Sequence, residues 1–164
     1  MSCTQTLNGI AKDCSPNLGG LKQVMLAPYS AQTIDDYDYD ALTASMTETG
    51  DYVAYWFPRG TASMTTTATI DEQTGSKFYT TEITMQFNGI DAVKLAEVQK
   101  VVNGEVAAMV LDNNDKHWLP TATHPLIASA VEIATGAQYS DGNRISLTLR
   151  VESPYPPLEL SLMA

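Results

Sequence analysis

Residues 78–87 constrain the fold more than any other stretch of the chain. Tyr79, Ile83, Met85 and Phe87 fall on one parity, and Thr80, Glu82, Thr84 and Gln86 on the other. A period of two is the mark of a strand with one face against a core and the other in water. A short helix is expected next, with Asn88 placed to cap it, 90–102 to carry it and Asn103-Gly104 to end it. Two hairpins follow. Residues 105–111 and 116–119 flank Asn113-Asn114, and residues 137–140 and 144–152 flank Asp141-Gly142-Asn143. In the second, Ile145, Leu147, Leu149 and Val151 are expected to point inward, opposite Arg144, Thr148, Arg150 and Glu152.

The helix has a narrow apolar stripe. Leu95, Val98 and Val102 recur at i, i+3 and i+7 with Val101 beside them, but Asp91 and Lys94 fall on or near the same line. Such a helix suits one side of a sheet-rich core better than a bundle. The expected fold is mainly β: an antiparallel β-sandwich or barrel with one flanking α-helix and an extended arm, loop and hairpin. With 164 residues, 44% of them hydrophobic, the chain is expected to form a single domain with one core.

The first third is less regular. Residues 1–20 read as an N-terminal arm, Asn17-Leu18-Gly19-Gly20 as a turn, and 21–27 as a first strand stopped by Pro28. Residues 28–50 read as an acidic loop holding Asp35, Asp36, Tyr37, Asp38, Tyr39 and Asp40. Clustered carboxylates suit a hard cation, but the EF-hand pattern fails: counted from Asp36, the sixth position is Ala41 and the twelfth Thr47. Residues 51–57 form an aromatic-rich strand. Residues 61–70 form a second one, dominated by Thr, that turns at 71–75 into the long alternating strand. The segment around Thr65, Thr66 and Thr67 has little apolar surface to bury, so the hairpin 61–87 is expected to project. A projecting strand edge is an aggregation hazard in a monomer and an adhesive edge in an oligomer. The acidic residues 35–40 and Thr65 to Thr67 are therefore the candidate subunit-interface residues, with Tyr37 and Tyr39 as amphipathic anchors.

Chemistry is sparse. Cys3, Cys14, His117 and His124 could supply four zinc ligands, but ten residues separate the cysteines and six the histidines, unlike structural zinc spacing. No nucleophile and base are paired by a motif, and no phosphate-binding glycine loop occurs, so neither an enzyme nor a cofactor is expected. Acids outnumber bases 19 to 9, a formal charge of −10, which argues against binding of nucleic acid through phosphate contacts. No apolar run approaches the roughly 18 residues of a membrane span, and Met1 to Ile10 lacks the plan of a signal peptide. The chain is expected to stay inside a cell until it assembles.

The order of these elements carries a resemblance, together with the segments 81–87 (TEITMQF), 111–119 (LDNNDKHWL), His124-Pro125-Leu126, Thr135-Gly136 and 139–144 (YSDGNR). The chain resembles tail tube proteins from phages of Bacteroidetes-type bacteria over about residues 14–157. Cys14 followed by Gly19-Gly20-Leu21-Lys22 looks like the start of the same group. The resemblance implies a β-sandwich with a flanking helix that forms hexameric rings, stacked into a virion tail tube through which DNA passes without specific binding. It implies tape-measure and tail-completion proteins as partners, assembly in the host bacterial cytoplasm, and no catalytic residue. The alternative is another virion or cell-surface structural β-domain, such as a capsid decoration protein or an adhesin.

Overall fold

A computed structural model describes residues 6–47 and 51–162. After residues 6–20, which carry neither helix nor strand, the order is β1 (Leu21–Pro28), β2 (Asp36–Asp38), β3 (Thr43–Met46), β4 (Val53–Tyr55), β5 (Ser63–Asp71) and β6 (Ser76–Asn88). Then come α1 (Ala92–Asn103), β7 (Val106–Asp112), β8 (His117–Leu119), β9 (Ile127–Ala134), β10 (Arg144–Ser153) and β11 (Leu158–Leu162). Among the described residues they build a seven-stranded sheet, β2-β3-β11-β8-β7-β1-β4, and a four-stranded sheet, β5-β6-β10-β9. Neither sheet closes on itself, so the fold is a β-sandwich and not a barrel. Pairing is antiparallel except between β3 and β11.

The core follows from alternation. Ile83, Met85 and Phe87 from β6 and Ile145, Leu147, Leu149 and Val151 from β10 are buried together with Leu21, Val24 and Leu26 of β1 and Val106, Ala108 and Val110 of β7. Glu82, Arg144, Arg150 and Glu152 lie on the opposite face, exposed. Tyr79 is only half-buried, because its pair with Ser153 is the last rung between β6 and β10. Thr81 shares the inner face and is buried, its hydroxyl 3.1 Å from that of Thr66. β7 is apolar on both faces. Ala107 and Met109 enter a second cluster with Ala44, Met46, Leu119, Leu158 and Leu160, which is why 106–110 is a continuous apolar run and not an alternating one.

Several expected boundaries move. Asn88 ends β6, and the helix cap is Asp91, whose Oδ1 accepts the Lys94 amide at 2.8 Å. Asp91 thus leaves the stripe, and the buried helix residues are Val98 and Val101, with Leu95 half-buried and Val102 exposed. Residues 137–140 form no strand. The partner of β10 is β9, reached through a loop in which Asp141 Oδ2 accepts the amides of Ala137 and Gln138. Gly136 is required there: its φ is 73°, and a Cβ would lie 2.6 Å from the Gly142 carbonyl oxygen. The expected loop 28–50 contains a 3-10 turn, Tyr29–Ala31, and the β2–β3 hairpin, since Ala44 and Met46 gain a core by pairing β3 with β11; residues 48–50 lie outside the described residues. The β5–β6 hairpin runs past the end of β10, so its tip projects.

Candidate assembly surfaces

Among the described residues the four-stranded sheet offers two uncovered edges and one uncovered face. β5 and β9 are its outermost strands. Most β5 side chains are exposed, and β9 leaves Ile127, Val131 and Ile133 exposed as well. The outward parity of the sheet carries Ser63, Thr65, Thr67 and Thr69 on β5, Thr80, Thr84 and Gln86 on β6, and Ser146 and Thr148 on β10. Away from the hairpin tip its charged side chains are Glu82, Glu132 and Glu152 against Arg144 and Arg150, and Arg150 donates to Glu152 Oε1 at 2.6 Å. The face is therefore hydroxyl-rich and close to charge balance. The acidity of the chain lies elsewhere. Thr66, between two outward threonines, points to the inner face and meets Thr81.

The acidic residues sit at the far edge of the other sheet. Asp35, Asp36, Tyr37, Asp38 and Asp40 are exposed, and Tyr39 is half-buried. Asp38 Oδ1 accepts the amides of Asp40 and Ala41, which shapes the β2–β3 turn, and Asp35 accepts the Thr47 hydroxyl. Tyr39 stacks on Tyr155 with ring centroids 4.1 Å apart, and Tyr37 tilts against Tyr39 at 4.8 Å. Burial, then neighbouring tyrosines, raises the Tyr39 phenol above its usual range. Of these carboxylates Asp38 shapes the turn and Asp35 ties it to Thr47. Among the described residues no cluster of His, Cys, Asp or Glu is arranged to hold a metal. Cys14 is free and exposed, and Cys3, the other cysteine considered as a zinc ligand, lies outside the described residues.

The Asn113-Asn114 turn joins β7 to β8 and also holds the root of the arm. The Asn113 amide donates to Gly20 O and its side chain to Gly19 O, while Asn114 Oδ1 accepts the Leu18 amide at 3.0 Å. Lys22 Nζ reaches Asp115 at 2.7 Å. Gly20, at φ 90°, lies so near Asn113 that a Cβ would stand 3.0 Å from its Nδ2. The turn itself is organised by Asp112, whose Oδ1 accepts the amides of Asn114 and Lys116 and whose Oδ2 accepts the Trp118 indole, each at 2.9 Å. Burial opposes the charge of Asp112, but the Trp118 bond and the two amides outweigh it and hold the carboxyl below its ordinary 3.8. A folded value below the unfolded one stabilises the fold fully above pH 3.8, and that contribution is lost as pH falls through the folded value. Acid titration is expected to change Trp118 fluorescence below pH 3.8, and Asp112→Asn to abolish that step. A fluorescence change centred well above that pH would show that the turn is not held by this carboxylate.

Open grooves mark the surface of the described residues. One of about 450 Å³ runs between β4 and α1 and is lined by Val53, Tyr55, Trp56, Phe87, Val93 and Val98. Beside it Tyr55 donates to Glu97 Oε1 at 2.9 Å; burial, with that bond, pushes the Tyr55 phenol up to about 12. A second groove, of about 350 Å³, lies at the β9–β10 end near His124, Arg150 and Glu152. His124 Nδ1 is 2.9 Å from the hydroxyl of its neighbour Thr123, and His117 sits half-buried in β8 opposite Leu111 and Leu160. No helix among the described residues is long and apolar enough to cross a membrane. No family model, curated protein or solved structure matches the chain at a significant level.

Proposed function

We propose that this chain is the subunit of a phage tail tube, closing into rings that stack into a hollow conduit for DNA. The observation that carries the reading is the four-stranded antiparallel sheet, both of whose edges are free among the described residues. Its strands alternate in direction and are even in number, so β5 of one copy meets β9 of the next in the opposite sense, and rotation about an axis along the strands continues the antiparallel ladder. Closure removes the edges that would otherwise aggregate. A barrel of about 16–18 strands already leaves an aqueous channel, and six four-stranded sheets leave a wider one.

In this arrangement the hydroxyl-rich face lines the channel. The −10 formal charge does not then coat the wall, because the wall carries Glu82, Glu132 and Glu152 against Arg144 and Arg150, while Asp35, Asp36, Asp38 and Asp40 sit on the edge of the other sheet. DNA slides past because the wall offers few isolated cations, and Arg150 is already engaged by Glu152. Purified protein at high concentration is expected to form hollow rods or rings in negative-stain microscopy. A monomer that persists at every concentration would overturn the reading, and a discrete trimer would favour a decoration protein.

A further inference from the structure

We infer that the groove between β4 and α1 is the seat of the N-terminal arm of a second copy of this chain. β4 is the outermost strand of the seven-stranded sheet, so among the described residues its outer backbone groups have no strand partner. Beside that edge the groove leaves Trp56 76% and Val93 81% exposed. A monomer that leaves a large aromatic ring and a valine beside an open strand edge is built to be covered there.

The arm is the segment of this chain that fits. Leu7 and Ile10 are almost wholly exposed on a stretch with neither helix nor strand. The arm carries Lys12 and Asp13, one charge of each sign, and the groove carries Glu97 and Lys94. The root of the arm decides whose groove it serves. Residues 17–20 are clasped by the β7–β8 turn, and in the sheet order β8-β7-β1-β4 that turn lies on the other side of β1 from β4. The arm therefore starts across β1 from its own groove. Residues 6–16, extended, reach on the order of 35 Å, enough to cross to a neighbour. The contact is head to tail: each copy gives an arm on one side and receives one on the other. It rests on the reading of the chain as a self-assembling subunit and adds a contact independent of the β5–β9 edges.

The test uses the full chain with Cys3→Ser and Cys14→Ser as background. One variant adds Ile10→Cys, and a second, distinguished by a tag, adds Val93→Cys. Mixed and oxidised, they are expected to give a disulfide-linked pair containing one of each, at least tenfold more than when Val93→Cys is replaced by Thr69→Cys on the exposed face of β5. Equal yields would overturn the inference, as would a chain bearing both substitutions that links only within itself. Microscopy of the unlinked background separates the two readings. Rods without the mixed pair overturn the arm contact and leave the tube, whereas the mixed pair without rods supports the arm contact and sinks the tube.

Discussion

Leu147→Ala is expected to lower the stability of the folded chain by about 2–5 kcal/mol. Leu147 is fully buried at the middle of β10, and β10 is paired on both sides, Leu147 opposing Met85 of β6 and Val131 of β9. Its side chain fills the space between the two sheets, so truncation removes both its transfer free energy and the contacts of the atoms that lined it. For a chain of this length the loss amounts to a fall in midpoint temperature of roughly 4–20 °C. Thr148→Ala is the internal control. It lies on the same strand with its side chain on the opposite face, and a change within about 0.5 kcal/mol is expected. Denaturant melts of both variants check the pair; a loss under about 1 kcal/mol for Leu147→Ala would mean that β10 is not the centre of the core.

What was legible in the sequence was local and periodic. The alternation of 83–87 and 145–151 specifies which faces are buried, because on a strand the parity of a residue decides its side. The Asn113-Asn114 turn was legible for the same reason, since the hairpin needs only its neighbours. β9 escaped because Ser129 is an extra residue at a register shift between Thr148 and Leu149, and a bulge exchanges the two parities halfway along the strand. β3 escaped because its partner β11 lies more than a hundred residues away and pairs in parallel, which no nearby turn announces. The acidic stretch reads as loop because Asp is a poor strand former, yet an outermost strand tolerates charge. Among the candidate interface residues, Thr65, Thr66 and Thr67 look alike in sequence. Register alone turns Thr66 inward onto Thr81.

Val131→Lys combined with Ile133→Lys is expected to leave the monomer folded and to raise the concentration needed for rods or rings by on the order of a hundredfold or more, about 2.7 kcal/mol. Both residues lie on β9, the outermost strand of the four-stranded sheet, with Val131 38% and Ile133 54% exposed in the single chain. Their partial exposure is what an edge strand has before a neighbour covers it. In the free subunit a lysine can lay its methylene stem along this surface and keep its ammonium in water, so the fold tolerates the change. Once β5 of the next copy pairs with β9, the same ammonium groups are drawn from water without a carboxylate to meet them. An unpaired buried charge costs several kcal/mol, more than the concentration shift requires. The two halves of the expectation are read separately, by circular dichroism melts of the variant and by negative-stain microscopy with sedimentation across concentration. Rods at the wild-type threshold would remove β9 from the subunit contact and with it the edge-to-edge ring, while an unfolded variant would place these side chains in the core of the subunit itself.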